Sequence, residues 1–156
     1  MAKSTRVTTE NNCDVNESLE VLSDLYKNVT MAQNTIKILL PYVEDNELTK
    51  QLHKQVETYD EYAEKIDTVA KNLNFEPSPA PQFTLTMAGV GIRIKMATDR
   101  SRTHIAKIML QGTLNGIIDL YRLAKKLDEV HPEIALLLRQ VLKYEETRFE
   151  WMKGQL

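Results

Sequence analysis

The stretch FTLTMAGVGIRIKM, residues 83–96, decides the fold of this chain, because its pattern fits two kinds of secondary structure. Its apolar residues alternate as they do in β-strands. Four of them also have the spacing of a single helix face: Phe83, Met87, Val90 and Ile94. No other segment reads as a strand, and a lone two-stranded hairpin is only marginally stable in water. We therefore predict a helix over about residues 83–97, which makes the whole chain α-helical.

The first half of the chain carries two long helical patterns followed by a strong break. Asp14-Val-Asn-Glu17 is a typical helix start, with an acidic cap and a glutamate three residues later. Apolar residues then recur every three or four positions as far as Pro41, and Asp45 offers a cap for a second run. The sequence FEPSPAPQ, residues 75–82, contains three prolines and cannot continue that helix. We interpret it as a short, stiff connection between two helical hairpins.

The second half is predicted to contain two further long helices. TDRS, residues 98–101, marks a kink or a break before a third long helix over 102–127. Pro132 suits the first position of a fourth helix. The predicted fold class is all-α, an up-down antiparallel four-helix bundle over residues 14–156, with an extra helical segment before the third long helix. Residues 1–13 are predicted to form a mobile N-terminal tail.

Composition and charge limit the classes of function. The chain has 156 residues, 42% of them hydrophobic, and a formal net charge of −2, so the total charge does not favour nucleic acid as a partner. Cys13 is the only cysteine, which excludes an internal disulfide and fits a reducing compartment. No apolar run approaches the roughly 20 residues of a membrane span, and the N-terminus lacks the apolar core of a secretory signal. The predicted location is the cytoplasm.

Three passages carry a resemblance to a known family. They are YVEDNELTKQLHKQ at 42–55, THIAKIMLQGTLNGIIDLYRLAKKL at 103–127 and PEIALLLRQVLKYEETRFEWMK at 132–153. In pattern and helix order the chain resembles a bacterial ferritin-like four-helix-bundle family of unknown function, related to stress-associated ferritin-like proteins. The resemblance implies a ferritin-like bundle. Ferritin-like di-metal centres use one Glu from each of two helices and a Glu-x-x-His pair from each of the other two.

The sequence departs from that di-metal ligand set. None of its histidines, His53, His104 and His131, has a glutamate three residues before it. The leading hypothesis therefore has no cofactor. The alternative is an iron- or manganese-binding oxidase or metal-storage protein that would use an unorthodox cluster: Glu20, His53, Glu57, His104 and Glu145. Under the leading hypothesis Glu145, which falls within an apolar stripe, pairs with an Arg or Tyr across the bundle, because an unpaired buried charge is costly.

Two glycines lie one turn apart in the third long helix. Glycine is unfavourable inside a helix, so Gly112 and Gly116 need a reason. One reason is close packing of a neighbouring helix. The other is room for a small-molecule pocket, which Asn115 and Tyr121 would help to line.

A group of cations begins within the opening stretch and continues into the third long helix. If the helix runs unbroken there, one face carries four side chains: Arg93, Arg100, His104 and Lys107. Such a face suits a phosphate-bearing or acidic protein partner, and the favoured alternative is pairing with the acidic first half of the chain or with a symmetry mate. No aromatic interleaving or nucleic-acid-binding module accompanies it, so DNA and RNA are not predicted as partners.

The opening stretch leaves a second apolar face, which predicts contact between subunits. A helix that is apolar on two sides is either central or shared with a partner, and no helix is central in a four-helix bundle. The predicted homo-oligomer contact consists of Leu85, Ile92, Met96 and Leu110. No nucleophile lies beside a histidine in a catalytic context, so the leading hypothesis is a non-enzymatic homo-oligomeric scaffold or binding protein. A small-molecule binder with its site near Gly112 and Gly116 is a further alternative.

Overall fold

The computed structural model describes residues 14–77 and 82–156, and all regular secondary structure within those ranges is helical. These ranges contain five α-helices: α1 (Val15–Leu39), α2 (Asn46–Asn72), α3 (Gln82–Thr98), α4 (Arg102–Ala124) and α5 (Pro132–Lys153). A short 3-10 helix, Leu40–Tyr42, follows α1. None of the helices in these ranges combines the length and the apolar character needed to cross a lipid bilayer. The predicted mobile tail, residues 1–13, lies outside the described residues.

Side-chain caps define the starts of the first two helices, as the sequence predicts. The carboxylate of Asp14 accepts hydrogen bonds from the backbone amides of Asn16 and Glu17. Asp45 Oδ1 accepts one from the amide of Leu48 at 2.7 Å. These acceptors satisfy amides that have no partner within the first turn of a helix.

The helical interpretation of residues 83–97 is confirmed, and residues 83–127 form two helices rather than one. The break follows Thr98. There the carboxylate of Asp99 accepts a hydrogen bond from the amide of Ser101, and the Ser101 hydroxyl caps α4 by accepting from the amide of His104.

The four long helices pack in a cycle in which each runs antiparallel to both of its neighbours. α1 packs on α2 and on α4, and α5 packs on α4 and on α2. Asn28 of α1 donates to the Gly116 carbonyl of α4 at 3.1 Å. At the other end, Arg102 at the start of α4 lies 3.0 Å from Asp45 at the start of α2. α2 and α4 therefore begin at the same end of the molecule and run parallel.

This topology changes the interpretation of the proline-rich stretch. Because α2 and α4 are parallel, the chain between them must return along the length of the molecule. α3 forms part of that return and packs on α1, where Gly89 lies against Ile38. The connection is thus a helical crossover rather than the short link between hairpins predicted from residues 75–82.

The structure reverses the predicted roles of the two faces of α3. Ile92 and Met96, predicted to contact another subunit, are 8% and 0% exposed and belong to the core. Leu85 and Leu110, from the same prediction, are half-buried. The exposed side is the other one, which we call the outer face of α3: Met87, Val90 and Ile94. Both stripes are apolar, and packing on α1 decides which of them is covered.

Candidate functional site

A cleft with a volume of about 680 Å³ lies between α1 and α4. α3 contributes Ala88, Ile92 and Lys95 to its wall, and α5 contributes Glu145 and Arg148. We call this space the α1–α4 cleft. Its volume lies within the range of small-molecule sites, roughly 300–1,000 Å³.

Small residues keep the α1–α4 cleft open. A Cβ atom added to Gly112 would meet nothing within 4 Å, and one added to Gly116 would make only an ordinary contact, 3.5 Å from the Asn28 amide. Ala32 faces the same space from α1. Neither glycine is therefore required by close packing of another helix, and the geometry favours the alternative of room for a ligand.

A buried polar cluster lies beside the cleft, and two of its four members, Glu145 and Arg148, line the cleft wall. It consists of Gln55 and Tyr59 from α2 with Glu145 and Arg148 from α5, all of them buried. Arg148 Nη1 donates to Glu145 Oε2 at 3.0 Å, and Arg148 Nε donates to Gln55 Oε1 at 3.0 Å. The Tyr59 hydroxyl donates to Glu145 and accepts from Arg148. The predicted pairing of Glu145 with an Arg or Tyr is confirmed with both residue types.

Burial dominates the electrostatics of this buried polar cluster. It raises the pKa of Glu145, and the opposing effects of Arg148 and of the hydrogen bond from Tyr59 do not cancel that rise. Burial also raises the pKa of Tyr59 well above its ordinary value, so its hydroxyl stays protonated and acts as a donor. The cluster supplies fixed hydrogen-bonding groups beside an otherwise largely apolar space.

Charges around the α1–α4 cleft are mostly paired with one another. Lys27 lies 3.4 Å from Asp24, and Arg122 lies 3.3 Å from Asp119. Arg148 pairs with Glu145 inside the buried polar cluster. Among the described residues, Lys95 is the one cation of the cleft wall without an ion pair. The cleft therefore has little excess charge with which to attract a strongly charged ligand.

Comparisons of the chain with protein-family models, with curated proteins and with solved structures give no match. The ferritin-like resemblance therefore stays a prediction.

The predicted metal ligands do not converge. Glu20 lies 3.9 Å from Lys126, just beyond the end of α4, whereas His104 is in the first turn of α4, about 30 Å away along the helix axis. His53 and Glu57 are exposed on α2. Within residues 14–77 and 82–156, no group of three or more His, Cys, Asp or Glu side chains is arranged to hold a metal ion.

The predicted cationic face is interrupted by the break between α3 and α4. Arg93 is on α3 and Lys107 is on α4, so the spacing that would align them in one helix does not apply. The Arg100 guanidinium lies over the ring of Tyr42, 5.1 Å from its centroid. A His104 ring nitrogen lies 3.1 Å from the Lys95 carbonyl oxygen. These contacts engage two of the four side chains within the chain itself.

Sequence reasoning missed Gln55, Tyr59 and Arg148 as parts of a site. A signal was present in α5, where four residues have the spacing of one buried stripe: Val141, Glu145, Arg148 and Met152. Two charged residues of opposite sign one turn apart within such a stripe indicate a buried pair.

Proposed function

We propose that this protein binds a small amphipathic molecule in the α1–α4 cleft. The observation that carries the proposal is the combination of a cleft of about 680 Å³ with a buried polar cluster in its wall. Ligand sites in proteins are commonly concave and mostly apolar, with a few fixed polar groups that orient the ligand. Ile36, Ile92 and Ile108 supply apolar wall from three helices, and Arg148 supplies the polar group.

The glycines of α4 favour a ligand-binding site, rather than imperfect packing, as the reason for the open space. Each glycine inside a helix is about 1 kcal/mol less favourable than alanine. At Gly112 the space would accept a larger side chain without a clash, so packing gives no reason for glycine there. Space for a ligand supplies such a reason.

A cavity-filling substitution tests the proposal. Gly112→Phe adds a large side chain at the wall of the α1–α4 cleft, whereas Gly91→Phe places the same side chain at a helical glycine outside the cleft wall that also has open space at Cβ. The probe is N-phenyl-1-naphthylamine, an uncharged dye whose fluorescence rises in apolar sites. The wild type and Gly91→Phe should bind the dye, and Gly112→Phe should lose most of the signal while its helix content by circular dichroism is unchanged.

Two results would contradict the proposal. One is dye binding that is equal in all three proteins, which would place the dye on the surface. The other is a wild type that binds no dye. Loss of the signal in Gly91→Phe but not in Gly112→Phe would locate binding on α3 and would also contradict the cleft assignment.

We also propose that the protein forms a homo-oligomeric scaffold, as the sequence predicts, but through a different surface. It is supported by the outer face of α3 and by an exposed apolar stripe on α4: Leu114, Ile118 and Tyr121.

The cyclic antiparallel packing with one helical crossover supports placing the fold among ferritin-like four-helix bundles. The dispersed metal candidates support a version of that fold without a di-iron or di-manganese centre. Elemental analysis of purified protein checks this, and about one equivalent of iron or manganese per chain would contradict it.

A further inference from the structure

Thr113 differs in its hydrogen bonding from the other helical threonines whose side chains the structure describes. Thr30 and Thr147, for example, donate to a carbonyl one turn earlier. Thr113 is only 6% exposed, and its hydroxyl makes no hydrogen bond to any residue in the described part of the chain. A hydroxyl that is removed from most solvent without a partner is unfavourable.

Arg148 also keeps unused hydrogen-bonding capacity. Its Nε and Nη1 groups are engaged with Gln55, Tyr59 and Glu145, whereas Nη2 has no acceptor within residues 14–77 and 82–156. Arg148 is 6% exposed, like Thr113. Two nearly buried side chains on adjacent helices, Thr113 and Arg148, therefore each have a polar group without a hydrogen-bond partner in the described part of the chain.

We place the Thr113 hydroxyl and Arg148 Nη2 at the wall of the α1–α4 cleft. In the described residues, no fully buried side-chain nitrogen or oxygen lacks a hydrogen-bond partner. The Thr113 hydroxyl and Arg148 Nη2 must therefore lie on the small accessible part of their side chains. Because both residues line the α1–α4 cleft, we place these accessible atoms there.

The charge of Arg148 is already balanced, which restricts the ligand. Glu145 lies 3.0 Å from its guanidinium. A ligand carboxylate would add a second negative charge to one cation in a poorly hydrated place, and the desolvation of such charges is costly. An uncharged acceptor can receive hydrogen bonds from Arg148 Nη2 and from the Thr113 hydroxyl and leaves the Arg148–Glu145 pair electrically neutral.

Resting on the proposed function, we propose that the ligand of the α1–α4 cleft carries an uncharged carbonyl group of the amide or ester class. The carbonyl oxygen accepts hydrogen bonds at the polar wall formed by Thr113 and Arg148. The apolar chain of the ligand lies along the part of the cleft wall that Ile36, Ile92 and Ile108 line. The ligand class is thus a neutral, medium-chain amphiphile.

Calorimetric titration with octanamide and octanoate tests this assignment, because the two probes share a chain and differ in head-group charge. Octanamide should bind the wild type at least about tenfold more tightly than octanoate at neutral pH. Thr113→Val, which keeps the shape of the side chain and removes the hydroxyl, should weaken octanamide binding by about tenfold. Thr113→Ser restores a hydroxyl and should bind like the wild type. Substitution of Arg148 is avoided, since it would leave Glu145 buried without its partner.

The outcomes separate this inference from the proposed function. Octanoate that binds as tightly as octanamide overturns the uncharged carbonyl, and a Thr113→Val variant with unchanged affinity overturns the polar wall. In both cases the α1–α4 cleft remains a binding site if Gly112→Phe still abolishes dye binding. If the wild type binds neither dye nor octanamide, the proposed function fails and this inference fails with it.

Discussion

At position 145 a carboxylate lies in the core, 1% exposed, where an isolated charge would strongly destabilise the fold. Arg148 and Tyr59 make its burial tolerable, because every oxygen of the carboxylate has a partner. Such a pair contributes little compared with an apolar core, but removing one member leaves the other uncompensated. Its retention in the core fits a role in the α1–α4 cleft.

Glu145→Gln should lower the free energy of unfolding by about 3 kcal/mol, because it leaves the Arg148 guanidinium buried without a counter-charge. The matched control is Glu150→Gln, on the same helix, which breaks an exposed pair with Lys153. That variant should change stability by no more than about 0.5 kcal/mol. Urea denaturation measures both. Equal losses of unfolding free energy in the two variants would contradict the expectation that Arg148 needs Glu145 as its buried counter-charge.

Gly112→Ala should raise the free energy of unfolding by about 1 kcal/mol, because the added methyl group improves helix propensity and meets no atom within 4 Å. Gly89→Ala is the matched control, since its methyl group would lie 3.2 Å from Ile38 Cδ1. The control should gain less or lose stability. Thermal and urea denaturation check the order. A destabilised Gly112→Ala variant would mean that the cleft is narrower than it is here.

Single residues show where sequence reasoning ends. The position of Glu145 in an apolar stripe is visible in the sequence, and so is its need for a partner. The glycine pair is visible as well, but spacing does not distinguish close approach from empty space. The unused groups of Thr113 and Arg148 require the packed structure, because 35 positions separate them and only the contact of α4 with α5 brings them to one cleft.

Among the helices, the start of α2 is the point where capping and tertiary contact coincide. Asp45 caps α2 through the Leu48 amide and also pairs with Arg102 at the start of α4. The hydrogen bond from Leu48, followed by the Arg102 charge, holds the pKa of Asp45 below its ordinary value. One carboxylate therefore fixes the ends of two parallel helices.

Acid should weaken this junction. In the unfolded chain Asp45 loses both partners and binds a proton at higher pH than in the folded protein, so its contribution is present at neutral pH and is lost as pH falls below about 4. Asp45→Asn keeps an acceptor for the cap but does not titrate there. We expect unfolding free energies measured from about pH 6 down to about pH 3 to fall less steeply in Asp45→Asn than in the wild type. Parallel pH profiles would contradict this assignment.

Helix boundaries were predictable from sequence, and the outward orientation of α3 was not. Caps at Asp14 and Asp45 and the proline at 132 are local signals, so they locate helix starts without knowledge of the fold. The break at residues 98–101 was also visible. The two stripes of α3 are both apolar, however, and hydrophobic periodicity cannot rank two apolar faces. The choice depends on what α1 presents to α3.

For the whole molecule, the apolar surface left by this packing bears on assembly. The outer face of α3 and the exposed stripe of α4 together expose six large apolar side chains. Exposed apolar surface of this kind commonly marks contact with a partner. A homo-oligomer is the simplest occupant proposed for it.

If the proposed homo-oligomer forms through the outer face of α3, Ile94→Asp should convert it into a folded monomer, because Ile94 is 67% exposed and its substitution affects only that face. Ile92→Asp, two residues earlier on the buried side, should instead reduce stability by several kcal/mol. Light scattering gives the mass and circular dichroism gives the folded fraction. A monomeric wild type would exclude self-association through this face.

The central claim is that the α1–α4 cleft takes up a small amphipathic molecule, and amide chemical-shift mapping on isotope-labelled protein during titration with octanamide tests it most directly. Changes should concentrate at Ile36, Ile92, Gly112, Thr113 and Gly116, and they should saturate together. Changes confined to Val90, Ile94, Leu114 and Ile118 would place the molecule on the outer surface, and they would contradict the claim.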